Sequence, residues 1–145
     1  MKKSIHILIL LSMIFLSCNV SPVDIQYDYD QCHACKMTIS DSRFGCEYVT
    51  TKGKIFKYDA IECLVRDINK LDKADIAYTM VTHFDTPKKL KPAEESYFFI
   101  SKDRPSPMGA FLSAYESRSA VDQLSQELNG QVFNWQELLK YEIFN

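Results

Sequence analysis

GKIFKY, residues Gly53–Tyr58, returns near the C-terminus as GQVFNW, residues Gly130–Trp135. After the glycine, apolar β-branched and aromatic residues mix with polar ones over a few positions, as in a short half-buried strand. Both stretches then give way to a helical pattern. Behind Tyr58, Ile61, Leu64, Val65, Ile68 and Leu71 recur at helical spacing, so one stripe of this helix is buried. Behind the second copy, Asn134 followed three residues later by Glu137 forms a capping box, and Asp59 with Glu62 offers the same device to the first. A strand–helix unit written twice hints at internal duplication.

Working outward, Glu47–Thr51 is also strand-like, and Lys52-Gly53 between it and Lys54–Tyr58 makes a β-hairpin. Ile76–Phe84 and Tyr97–Ser101 read as further strands. Asp85–Ser96, with two prolines and the run Lys88-Lys89-Leu90-Lys91, reads as a solvated loop. Ala110–Tyr115 is another strand. Ser119 then caps a helix carrying Val121, Leu124 and Leu128, which Asn129-Gly130 stops. The fold class is α+β, with short strands and two or three helices.

The N-terminus is of another kind. Residues 1–17, MKKSIHILILLSMIFLS, have two lysines, a short apolar run and a small residue before Cys18. That is the anatomy of a secretory signal, and the run is too short to span a ~30 Å hydrocarbon core. Leu16-Ser17-Cys18 is also a lipobox, which makes Cys18 the acylated first residue of a lipoprotein; the plainer alternative is an ordinary signal peptide with Cys18 a bystander. Asn19 rather than Asp after the anchor favours the outer membrane, facing the periplasm. The expected organisation is a signal peptide over 1–17, a lipidated polar tether over 18–29 and one domain over 30–145, with halves of about 30–95 and 96–145.

The whole chain carries 17 basic and 19 acidic residues, and loss of Lys2 and Lys3 with the signal makes it more acidic. No basic stripe or helix suits nucleic acid. There are only four glycines, no phosphate loop and no Ser/His/Asp arrangement, so nothing points to a hydrolase or nucleotide enzyme.

Chemistry gathers on sulfur. Beyond Cys18 stand Cys32, Cys35, Cys46 and Cys63. Four thiols in an oxidising compartment allow two disulfides, a redox pair at Cys32-His33-Ala34-Cys35, or a metal site. A Cys₄ zinc site would use all four, although their spacing is not that of two clean knuckles. Cys35 and Met37 lie two apart, which in an extended segment turns both to one face, and thiolate with thioether selects Cu(I). Met108, in Pro107-Met108-Gly109, sits on a tight turn that could bring a third soft donor, although isolated methionines more often fill cores. Cys63 lies off the apolar stripe of its helix. His33, beside the cysteines, could touch a metal, whereas a lone loop histidine is more often solvated; His83, at a strand end, packs or caps.

Asp30-x-Cys32-x-x-Cys35-x-Met37-x-Ile39, then Lys52–Ile61 with Cys63, then Pro107-Met108-Gly109, all behind a lipobox, resembles the NosL lipoproteins. The resemblance implies two similar small ββαβ halves, related to the organomercurial lyase MerB. It implies a copper chaperone rather than an enzyme, holding Cu(I) and delivering it to nitrous oxide reductase or its assembly factors by ligand exchange. Carried over by motif, Cys35, Met37 and Met108 are the candidate ligands, with Cys32, His33 and Cys63 as further ones. Two departures stand out: Lys36 replaces the glycine usual between that Cys and Met, and Cys32 is an added thiol.

Overall fold

The computed structural model describes residues 20–144, so the signal segment and Cys18 lie outside the described residues. Two antiparallel sheets form. β1 (Cys46–Thr50) and β2 (Ile55–Tyr58) are the hairpin read from Lys52-Gly53, with Val49 opposite Ile55. Gly53, at φ 79°, takes the left-handed turn position and donates its N–H to Thr50 O at 2.8 Å. Helix α1 (Ile61–Ile68) follows, then β3 (Ile76–His83) and β4 (Thr86–Pro92), giving strand order β2-β1-β3-β4. β5 (Tyr97–Ile100), β6 (Leu112–Tyr115), helix α2 (Arg118–Glu127) and β7 (Gln131–Asn134) form the second sheet, ordered β6-β5-β7, and α3 (Trp135–Leu139) closes it.

In each sheet a hairpin leads through a helix to a strand that pairs on the other side of the first strand. The ββαβ unit therefore occurs twice, and the α+β expectation is met. The echo that suggested it is not its register. GKIFKY supplies β2, the second strand of its unit, whereas GQVFNW supplies β7, the third. Both are short edge strands that feed a helix, and this shared local duty accounts for their likeness.

Three local expectations are corrected. The Asp59–Glu62 capping box does not form: Ala60 is the N-cap with no side-chain bond, because Asp59 turns to Cys35 and Glu62 to Ser106. Residues 86–92, read as loop, form β4; its prolines and lysines suit an edge strand, where a missing N–H faces no partner and charge discourages pairing. The cap of α2 is Ser117, whose Oγ accepts from Ala120 N–H at 3.2 Å, instead of Ser119. Cys63 is 4 % exposed although off the apolar stripe, because the cysteine loop covers that side of α1. The Asn134–Glu137 box on α3 is complete in both directions.

The segment read as a tether is packed where it is described. Val23 N–H donates to Glu47 Oε1 at 2.9 Å, Ile25 enters the core, and Lys57 Nζ donates to Asp24 O at 3.0 Å. A Cβ on Gly45 would stand 2.6 Å from Tyr27 Oη and 2.8 Å from Ile25 Cδ1, so this glycine is what lets the strap lie flat. The main core lies between the sheets and α1, around Tyr58, Ile61, Leu64, Phe98 and Leu138. Among the described residues no helix is long and apolar enough to cross a membrane.

Candidate metal centre

Three short pieces of chain make the site. Gln31 and Thr38 form an isolated antiparallel bridge, and Cys32 N–H donates to Met37 O at 2.8 Å, closing a tight loop. Inside it, Lys36 N–H donates to Cys32 O at 3.0 Å, and Lys36 takes φ 66°. This is left-handed backbone, which a glycine adopts freely and a lysine at a cost of ~1–2 kcal/mol. The glycine that the sequence resemblance implies at this position would adopt that backbone freely, and Lys36 meets it with strain. The left-handed step also breaks the extended geometry that would have aligned Cys35 with Met37.

The loop docks on β2. His33 N–H donates to Lys57 O at 2.7 Å, and Lys57 Nζ pairs with Asp30 Oδ2 at 2.6 Å, both partly buried. Beyond Tyr58 the chain supplies Asp59, and the first turn of α1 supplies Cys63. Cys32, Cys35, Asp59 and Cys63 are thereby gathered, with their ligand atoms all within 4.8 Å of one another. Cys32 is fully buried, Asp59 and Cys63 are nearly so, and half-buried Cys35 forms the mouth. The Cys35 thiol donates to Asp59 Oδ1 at 3.4 Å. Cys32, Cys35, Cys46 and Cys63 are not disulfide-bonded.

The protons of the cluster are unequally held. A hydrogen bond from the Cys63 thiol, set against burial and helped by backbone N–H groups of Cys35 and Asp59, lowers Cys32 to about 6. Burial pushes Cys35 up to about 11, with the neighbouring Cys32 and Asp59 charges adding to it. Cys63 is raised because its proton is engaged by Cys32 and because it is buried. Cys32 is thus the most acidic thiol of the three, and a soft cation held by all three sulfurs would displace their protons.

Met37 is 52 % exposed at the rim of the loop. Met108 is half-buried on the Ser106–Ala110 turn, where it packs on the main core and lines a cleft of about 780 Å³. His33 is exposed, its ring edge-on to Phe56 at 4.6 Å and outside the cluster. Cys46 is fully buried with its thiol directed at Tyr58 O at 4.0 Å, so the Cys₄ arrangement is not assembled. His83 packs, its Nε2 on Ser96 Oγ at 2.8 Å. Asp59 is the residue that sequence reasoning missed, because it was assigned to a cap. No local signal marks it: Asp59 precedes the extended N-cap Ala60, outside α1, and meets the thiols only through the tertiary fold. Glu62, fully buried, accepts from Ser106 Oγ at 2.5 Å and Ala110 N–H at 3.3 Å, which holds the Met108 turn against α1.

Two small ββαβ units and a cluster of three thiols and a carboxylate at the start of a helix define an α+β domain whose donor set is compatible with a metal ion. The chain belongs to the NosL family, whose model matches residues 22–143. Its fold is similar to the crystal structure of the copper chaperone NosL from Shewanella denitrificans, with a TM-score of 0.65 at 15 % identity, over 82 % of this chain and 96 % of that chain. No curated protein matches the chain.

Proposed function

We propose that this protein is a carrier of Cu(I), anchored by lipid on Cys18 to the periplasmic face of a membrane, the outer one being favoured by Asn19. It hands its ion to nitrous oxide reductase or its assembly factors. The observation that carries the reading is the convergence of Cys32, Cys35 and Cys63 around one mouth. Thiolates are soft donors and favour Cu(I) over hard cations. Membership of the NosL family and the fold shared with a copper chaperone support the same cargo. Cys35 is the donor an incoming acceptor meets first. Exposed Met37 lies nearby on the same loop, and Met108 extends the candidate donor set from the second half of the chain. Transfer is ligand exchange: an acceptor thiolate or imidazole adds at the open side, and the buried sulfurs release in turn. No bond of a substrate is made or broken.

The test is a Cu(I) titration of the reduced protein against a chromogenic competitor. Wild type is compared with Cys35→Ser, Cys63→Ser, Met37→Leu and Met108→Leu. One-to-one binding is expected, lost in the serine variants and only weakened in the leucine variants. Affinity that survives Cys35→Ser would sink the reading. Loaded protein should then pass copper to apo nitrous oxide reductase, a transfer that fails if the client lies elsewhere.

A second reading has one observation in its favour: three thiols with a carboxylate are also a Zn(II) donor set. Zinc retained through purification, together with no competition for Cu(I), would establish it instead.

A further inference from the structure

The strap begins at the tip of the β1–β2 hairpin. A Cβ built on Gly53 would lie 3.8 Å from Val20 Cγ2, so Val20 rests beside the turn. Cys18 stands two residues earlier, which limits its Cα to about 7 Å from that of Val20. Thr51 N–H donates to Asp75 O at 2.9 Å, and this joins the tip to the turn over Lys73–Asp75. The two turns together expose Lys52, Lys54 and Lys73, with Leu71 39 % exposed beside them. A shallow cleft of about 310 Å³, walled by Tyr48, Phe56, Leu71 and Ile76, opens between them. Of the two carboxylates on this surface, Asp72 is engaged as a cap, accepting from Ala74 N–H at 3.0 Å, and Asp75 lines the cleft.

We propose that this tip is the surface that lies on the membrane, with Lys52, Lys54 and Lys73 among anionic phospholipid headgroups and Leu71 at the apolar boundary. The inference rests on lipidation of Cys18 and goes beyond the copper reading. A lipid on Cys18 must enter the bilayer within two residues of Val20, and the strap that follows is held by Glu47 and Lys57, so the domain has little freedom to turn another face down. Lysines close to an anionic leaflet are attracted to it, and an apolar side chain set among them adds to the binding. The orientation has a consequence for the metal centre. β2 leaves the tip at Ile55 and reaches the thiol loop at Lys57 and Tyr58, about 10 Å along the strand. The thiol loop therefore sits away from the bilayer, where an acceptor can reach Cys35.

Lysine footprinting tests this without new cysteines. The lipidated protein, in nanodiscs containing phosphatidylglycerol, is treated with a water-soluble amine acylating reagent, and each lysine is read by mass spectrometry against the unacylated Cys18→Ala chain. Lys52, Lys54 and Lys73 should react more slowly in the nanodisc, by about threefold or more, and recover in high salt. Lys88 and Lys89, on β4 at the far end of the sheet, should react alike in both. Equal rates at the three tip lysines, with acyl chains present on Cys18, would overturn the proposed face and leave the anchor standing. Absence of acyl chains on Cys18 would overturn both. The copper titration is independent of either result.

Discussion

Ser106 Oγ donates to Glu62 Oε1 at 2.5 Å, and the two residues come from different halves of the molecule. Glu62 is fully buried on α1, one residue before Cys63, and Ser106 opens the turn that carries Met108. The same oxygen accepts from Ala110 N–H, so a single carboxyl closes both ends of that turn. Removing it strands two donors away from water, at a cost of ~1–3 kcal/mol. Glu62→Ala should lose about that much in urea denaturation of the reduced protein, whereas Glu62→Gln, which keeps an acceptor, should lose less than about 1 kcal/mol. Equal losses in the two variants would show that the turn is held by something other than this bond.

Cys46 and Cys63 are both buried cysteines of the first half, yet their duties differ. Cys63 faces Cys32 and Cys35, while Cys46 lies outside the cluster and burial pushes its thiol well up. Cys46→Ala should therefore leave Cu(I) affinity unchanged and cost ~1–2 kcal/mol of stability through lost packing. Cys63→Ser should do the reverse, abolishing tight Cu(I) binding while the fold holds. The pair of titrations and urea curves separates a structural cysteine from a ligand, and loss of copper in Cys46→Ala would erase that distinction.

Lys36 supplies a cleaner energetic test. Its left-handed backbone costs ~1–2 kcal/mol relative to a relaxed residue. Glycine removes that strain but gives the unfolded chain more freedom, at ~0.5–1 kcal/mol. Lys36→Gly should thus stabilise by roughly 0.5–1 kcal/mol and raise the melting temperature by a few degrees. Lys36→Ala, which like glycine lacks the exposed Lys36 Nζ bond to His33 O, keeps the strained backbone, so it should not stabilise. A gain in alanine as large as in glycine would remove the backbone from the explanation.

Much of the fold could be read from the chain because its strands and helices are local statements. Lys52-Gly53 makes a hairpin, and Asn134 with Glu137 starts a helix, where no distant partner draws these side chains away. Asp59 and Glu62 show where such reading stops. Both have the chemistry and spacing of a cap, and both are drawn away by partners distant in sequence: the Cys35 thiol for one and the Ser106 hydroxyl for the other. The site was half legible for the same reason. Cys32 and Cys35 announce themselves by proximity, whereas Cys63 and Asp59 join them only once β2 and α1 are laid against the loop. β4 escaped notice because an edge strand tolerates prolines and lysines that would exclude a central one.

Glu47 predicts a pH dependence. It is fully buried on β1, one oxygen accepting from Val23 N–H at 2.9 Å and the other without a partner. Burial raises its carboxyl above the usual 4.5, only partly offset by the Val23 N–H and the Lys57 charge. A carboxyl held high in the folded state favours folding while it is protonated, and that contribution fades as pH rises from 4.5 through the folded value. Ionisation then leaves a poorly solvated charge beneath the strap. Glu47→Gln keeps the acceptor for Val23 and never ionises. Its urea midpoint should gain on that of wild type as pH is raised from 4 to 8, with the two closest at the acid end. Taking the difference between the proteins cancels titrations common to both, including buried His83, whose lowered value makes the fold weaken in acid. A difference that stays constant over this range would mean that Glu47 is as well served by its surroundings ionised as neutral, and that the strap carries no pH-dependent strain.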